Sequence, residues 1–249
     1  MFGRGFGEVL AVHLGTGAWA LIDSCLNPAN DHPAATHYLT TLGLDPTASV
    51  VLLVVTHWDD DHVAGIAEVA NRCAGATLVC SAALCREEVL EFVYEQEGAG
   101  GALGSGVDEL RSVLKIAATR GCVVWAKANL PLHPRPPGDQ PAVVALSPSE
   151  DAVERSIRSL IEAATGRPSA VRRRYQAPEG PNGASVATVV RIGQTVAVLG
   201  ADLESRTQNL ETGWDAVLTY ARPSQPASLF KVPHHGSDGA HHERVVRHA

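Results

Sequence analysis

Near the N-terminus two short, mostly apolar strand patterns, Glu8–Leu14 and Ala18–Asp23, flank Gly15-Thr16-Gly17. Two such stretches around a glycine-rich break predict a β-hairpin. Val50–Val55 is different: an unbroken apolar run, mostly β-branched. That pattern predicts a strand covered on both faces. It stops abruptly at Thr56-His57-Trp58-Asp59-Asp60-Asp61-His62, and Gly65 then opens a helix-like stretch to about Arg72. Strands are predicted again over Ser185–Ile192 and Thr195–Leu199, joined by Gly193-Gln194. A last one, Leu229–Val232, ends in Pro233-His234-His235-Gly236-Ser237.

Between these strands the chain reads as helical. Ser81–Gln96 predicts one helix, and Leu110, Val113, Leu114 and Ala117 mark one face of another. A glycine-rich loop over Gly98–Gly106 separates them, and a second loop, Pro131–Pro141, holds five prolines in eleven residues. Ser147-Pro148-Ser149-Glu150 predicts a capping box with proline in the first turn. Val153, Ile157, Leu160, Ile161 and Ala164 follow at helical spacing to a stop at Gly166. With no internal repeat and no convincing linker, residues 1–249 read as one α/β or α+β domain.

Composition narrows the class. A chain of 249 residues with 45% hydrophobic and 19% charged residues can bury a sizeable core and is not a disordered one. The net charge of −7 argues against coating nucleic acid by bulk electrostatics, but leaves room for a local basic patch. Arg172-Arg173-Arg174-Tyr175 is a candidate for one, against the plainer reading of a solvated charge run. No run approaches the roughly 20 apolar residues of a membrane span, and residues 1–27 hold no apolar segment of signal type. Cys25, Cys73, Cys80, Cys85 and Cys122 form no CxxC pair, so the expectation is core thiols in a soluble, cytoplasmic protein.

The chemistry concentrates in His57-x-Asp59-x-Asp61-His62, directly after the buried strand. Neutral imidazole and carboxylate are the ligands of zinc, manganese or iron. Alternation at 57, 59 and 61 lets side chains converge, and His62 beside Asp61 aims at a second point. Pairs of metals roughly 3.5–4 Å apart recur in hydrolases of phosphate esters and amides. Two more strand exits carry ligand-type residues, Gly200-Ala201-Asp202 and Pro233-His234-His235-Gly236. A strand end feeding a loop is where layered α/β folds place their sites.

The order His-x-Asp-x-Asp-His, Gly-x-Asp and His-His-Gly-Ser resembles the metallo-β-lactamase superfamily. Asp59, where histidine is commoner, and Lys231–Ser237 are similar to the metallo-hydrolase domain of bacterial competence-type DNA-uptake proteins. Asn182-x-x-Ser185, Leu146-Ser147-Pro148-Ser149 and the opening from Gly5-Phe6-Gly7-Glu8 to Ile22-Asp23-Ser24 resemble that branch too. The resemblance implies a four-layer αββα sandwich. It also implies two divalent metals, zinc first and manganese next, the carboxylate at Asp59 hardening the site. His57 and Asp59 would hold one metal, Asp61 and His62 the other, with Asp202 as bridge and His235 as last ligand. His234 would contact substrate phosphate or carry a proton, and the reverse assignment of His234 and His235 stays open. A metal-bound hydroxide, its pKa lowered from 15.7 to about 7, would attack, with Asp61 also orienting it. The superfamily usually adds a histidine between the first motif and Asp202; here that stretch holds His133, in the proline-rich loop. Twelve residues follow Ser237, so the last strand and helix of the fold would be lacking.

The implied function is hydrolysis of phosphodiesters, as a nuclease or phosphodiesterase, with nucleic acid as partner and no membrane. The alternatives are hydrolysis of a small ester, thioester, lactone or β-lactam, di-iron redox chemistry, and a partner-binding module with a degenerate metal site. Asp23 is expected to orient a neighbouring loop, Trp58 to pack beneath the metal loop, and His241, His242 and His248 to form a tail.

Overall fold

A computed structural model describes residues 1–3, 7–85, 105–121, 123–133, 142–166, 181–205 and 211–248. The described residues form two compact units, the first built mainly from Met1–Cys80 and the second mainly from the chain beyond Trp125. The Arg172–Tyr175 run, Cys122 and most of both predicted loops lie outside the described residues.

The first sheet has the order β1-β2-β3-β4-β5, with β1 Leu10–Gly15, β2 Ala18–Ile22, β3 Val50–Val55, β4 Thr77–Ser81 and β5 Val124–Ala126. β1 and β2 form the predicted hairpin, with Thr16 and Gly17 both at positive φ (52° and 81°), as a tight mirror-image turn demands. β2, β3 and β4 run parallel. Parallel strands are covered on both faces, and Leu52, Leu53, Val54 and Val55 of β3 are accordingly buried. Each leucine that goes fully under contributes about 1.5–3 kcal/mol.

The helix Ile66–Arg72 follows as predicted, and Ser105–Arg120 buries Leu110, Val113, Leu114 and Ala117 on one face. That helix begins one residue before Gly106, which the sequence assigns to a loop. The predicted helix over Ser81–Gln96 is corrected in its first residues. Ser81 ends β4 and Ala82–Leu84 make a single 3₁₀ turn, whose entry the Ser81 hydroxyl caps. The apolar, β-branched stretch before it, Thr77–Cys80, pairs with β3 and extends the sheet.

The second sheet has the order β10-β9-β8-β7-β6, with β6 Pro131–His133, β7 Val143–Ala145, β8 Thr188–Ile192, β9 Thr195–Leu199 and β10 Leu229–Lys231. β6 to β9 pair antiparallel and β10 joins β9 in parallel. Its core gathers Leu146, Val189, Val196, Val198, Leu203, Trp214, Val217 and Val245. The helix Glu150–Gly166 ends at the predicted glycine, but its cap differs. Ser149, not Ser147, accepts the backbone N–H of Ala152 at 3.2 Å. Ser147 instead donates to the Ser185 carbonyl (2.6 Å) and accepts from Ala187 N–H (2.8 Å), tying the segment to the start of β8.

Two five-stranded mixed sheets with their helices are the α/β content the sequence predicts, and they match the sheet content of an αββα sandwich. After β10 a short helix spans Glu243–His248 and sends Val245 into the second core. No helix among the described residues is long and apolar enough to cross a membrane.

Candidate metal centre

In the first unit the C-terminal ends of the parallel strands β2 and β3 lie side by side, with Ile22 opposite Val54. Asp23 leaves β2, and Thr56 and His57 leave β3, all at the same sheet edge. Asp23, Thr56, His57 and His62 are each 0–1% exposed. The His62 loop is strapped to that edge by backbone bonds from Glu8 N–H to the Asp61 carbonyl (2.9 Å) and from Ser24 N–H to the His62 carbonyl (2.7 Å). Gly65, at φ 75°, then turns the chain into the helix Ile66–Arg72; a side chain there would strike Leu26 and Pro33.

Asp23 organises the cluster. One carboxylate oxygen accepts the Thr56 backbone N–H at 2.8 Å. The other lies 2.7 Å from both the Thr56 hydroxyl and His62 Nδ1. A carboxylate only accepts, so His62 carries its proton on Nδ1 and the Thr56 hydroxyl gives its single proton to Asp23. The Thr56 oxygen is then an acceptor for His57 Nδ1, 2.8 Å away. One buried carboxylate thereby sets the tautomer of both imidazoles, and each is left to offer Nε2 to a cation. His57 Nε2 lies 3.9 Å from Asp59 Oδ2 and His62 Nε2 lies 4.0 Å from Asp61 Oδ2. Within this unit, then, each predicted histidine ligand is beside its predicted carboxylate partner. Asp23, His57 and His62 also bring one ligand atom apiece within 4.8 Å of one another. The Nδ1 side of that trio is taken up by the Thr56 and Asp23 bonds, which makes Asp23 an orienting group for the ligands.

Asp60 has a separate task. Its Oδ1 accepts the Gly106 N–H at 2.5 Å, holding the loop to the start of the helix Ser105–Arg120. Any Cβ at Gly106 would overlap the Trp58 carbonyl oxygen, so the close approach requires glycine. Trp58 itself is half-buried.

In the second unit the sites again follow parallel strand ends. β9 and β10 pair with Leu199 opposite Lys231, and their exits carry Asp202 and His234-His235. Gly200 lets the two exits close up: a Cβ there would meet Pro233 at 2.8 Å and Trp214 at 3.1 Å. The His234 N–H bonds the Ala201 carbonyl at 3.0 Å. Ala201, His234 and His235 all adopt left-handed backbone (φ 46°, 46° and 50°), conformations that cluster at functional sites. Buried Asp202 places Oδ2 3.9 Å from His234 Nε2 and 3.8 Å from His235 Nε2. Glu204 Oε1 lies 3.3 Å from His234 Nδ1 and accepts from the Asn182 amide at 3.3 Å.

The remaining sequence candidates fall elsewhere. His133 closes the edge strand β6, half-buried. His242 Nε2 pairs with Asp215 at 3.1 Å. Burial pushes the thiols up, Cys25 to about 11 with help from Glu8, and Cys73 and Cys80 to about 12. They stay protonated at neutral pH. Thr56 and Glu204 escaped the sequence reading because a threonine beside a histidine, or a glutamate two residues past an aspartate, carries no distinctive spacing.

The whole-chain comparisons add little. No family model matches the chain, and no curated protein matches it. Among solved structures it is similar to the hydrolase AbOPH, of the beta lactamase superfamily. The TM-score is 0.43 and the identity 14%, over 78% of this chain and 55% of that one. The chain therefore spans about half the length of that protein, and at this level the likeness carries no inference about activity.

Replacing Asp23 by Asn leaves the side chain one carbonyl oxygen where three hydrogen bonds need two acceptors. Metal affinity is expected to fall about 10–100-fold, with the secondary structure unchanged. A chelator-competition titration followed by circular dichroism measures both, and wild-type affinity in Asp23→Asn would remove Asp23 from its orienting role.

Proposed function

We propose that the chain is a metal-dependent hydrolase acting on phosphodiester bonds. The observation that carries the reading is the Asp23–Thr56 network, which turns Nε2 of two fully buried histidines into cation-binding atoms. Building such a tautomer lock inside a protein has little purpose without a cation to receive those lone pairs. The donor set, imidazole and carboxylate without thiolate, fits zinc or manganese.

In this proposal His57 and Asp59 would hold one metal and Asp61 and His62 the other, with Asp202 as a ligand common to both and His235 as the last ligand. Bound divalent metals supply the positive charge that makes water a nucleophile near neutral pH and stabilises charge developing on phosphate oxygens. Asp61 would orient the attacking water, and His234 would contact the phosphate or pass a proton to the leaving oxygen. The nucleic-acid substrate rests on the likeness of the motifs to the competence-type branch, and the free buried thiols suit a reducing cytoplasm.

Elemental analysis of the purified protein, before contact with any chelator, tests the core of the proposal. About two zinc or manganese ions per chain are expected, together with hydrolysis of single-stranded DNA or RNA that chelation abolishes and metal restores. No uptake even after soaking would overturn the hydrolase reading in favour of a binding module. Metal uptake with turnover of lactones or thioesters alone would overturn the phosphodiester part.

A further inference from the structure

The ligand candidates of the first unit are held in two different ways. His57 and His62 are fully buried and fixed by the Asp23–Thr56 network, whereas the side chains of Asp59 and Asp61 are 43% and 28% exposed and belong to a loop. That loop carries three carboxylates in succession, Asp59, Asp60 and Asp61. Like charges this close repel one another, so a loop left to itself would relax by splaying them. Its backbone therefore needs an anchor beyond His62 as well as at β3.

Beyond His62 the chain passes through Gly65 into the helix Ile66–Arg72. A helix of two turns does not persist alone, and this one begins without a cap of its own. Its N-cap residue is Gly65, whose φ of 75° and close neighbours Leu26 and Pro33 admit no side chain. The acceptor comes instead from the helix Ser105–Arg120. One oxygen of Glu109 accepts the Gly65 N–H at 3.3 Å and the other accepts the Ala67 N–H at 3.0 Å. Near the other end of the short helix, the Arg120 guanidinium donates to the Ala70 carbonyl. A carboxylate at the first turn and a guanidinium at the last both complement the helix dipole. The bond from Gly106 N–H to Asp60 Oδ1 turns the middle carboxylate of the three towards the same long helix. The helix Ser105–Arg120 thus grips the loop at Asp60 and again just past its end.

We infer that Glu109 is a positioning residue for the metal loop. By capping the helix that follows, it fixes the backbone that presents Asp59, Asp61 and His62. The inference rests on the proposed hydrolase reading for the word metal, and on the hydrogen bonds alone for the grip. The loop also reports on itself at amides that Glu109 does not touch. The N–H groups of His62 and Val63 both donate to the Asp59 carbonyl, at 2.9 and 3.2 Å.

The test uses the full chain, with zinc as the probe. Glu109→Ala and the isosteric Glu109→Gln, whose amide would turn an N–H towards a backbone donor, are compared with Asp45→Ala. Asp45 caps the helix Pro46–Ser49 through the Thr47 N–H at 3.0 Å, so its removal controls for a cap lost elsewhere in the unit. Zinc affinity, measured by chelator competition, is expected to fall about tenfold in the Glu109 variants and to keep its wild-type value in Asp45→Ala. After the metal is stripped, amide hydrogen exchange at His62 and Val63 is expected to be about tenfold faster in the Glu109 variants and unchanged in Asp45→Ala. Wild-type affinity in the Glu109 variants would overturn the inference, and so would wild-type exchange at His62 and Val63. Equal losses in Asp45→Ala would also overturn it, by reducing Glu109 to a contributor to general stability. If the wild type takes up no zinc, the hydrolase reading falls, and the exchange rates still decide whether Glu109 holds the loop.

Discussion

Asp202→Ala is expected to lower hydrolysis by about a thousandfold and leave the fold intact. Metal assistance is worth several kcal/mol of transition-state stabilisation, and about 4 kcal/mol corresponds to three orders of magnitude in rate. In the proposed centre Asp202 is the group common to both metals, so no other single carboxylate should cost as much. The fold should survive for a physical reason. Asp202 lies past the end of β9, so shortening it to alanine breaks no strand pairing, and the metal-free variant should melt close to the metal-free wild type. The turnover of the metal-loaded variant and the melting of both apo proteins are the two measurements. Wild-type turnover in Asp202→Ala would end its role as a bridge.

Trp214→Ala should have the largest effect on stability. The indole is 1% exposed, donates its Nε1–H to the Leu203 carbonyl at 2.8 Å, and meets the Phe230 ring edge-on at 5.9 Å. Truncating such a residue costs about 3–5 kcal/mol, a drop of about 6–20 °C for a chain of this length. The Leu203 carbonyl adjoins Asp202, and the Trp214 ring packs on Gly200, so the same change loosens the β9 exit that carries the carboxylate. Metal binding should therefore weaken along with stability. Urea unfolding followed by a metal titration checks both. A loss below about 1 kcal/mol would show that the surrounding core closes over the gap.

The first unit shows how much was legible. Val50–Val55 matches β3 end to end, because six consecutive apolar residues leave the backbone no exposed face to choose. Leu110, Val113, Leu114 and Ala117 are all buried, because spacing alone puts them on one stripe of a helix. The short strands were harder. β5, β6 and β7 have three residues each, too few for a period to show, and the helical reading of Ser81 failed where the chain was still completing β4. The capping box put the N-cap at Ser147, and Ser149 fills that role instead because the backbone leading into β8 takes the Ser147 hydroxyl.

By itself the sequence determined which residue types stand at which strand exits, and hence the chemistry on offer: histidine and aspartate after β3, aspartate after β9, two histidines after β10. Local patterns suffice for this, since strand ends and ligand types are both written in neighbouring residues. The tertiary structure alone decided what each of these atoms does. Asp23 reaches Thr56 across 33 positions and His62 across 39, while Asn182 reaches His234 across 52. Which imidazole nitrogen keeps its proton, and which is left for a cation, depends on those distant partners, because a tautomer is set by the hydrogen bond its other nitrogen makes.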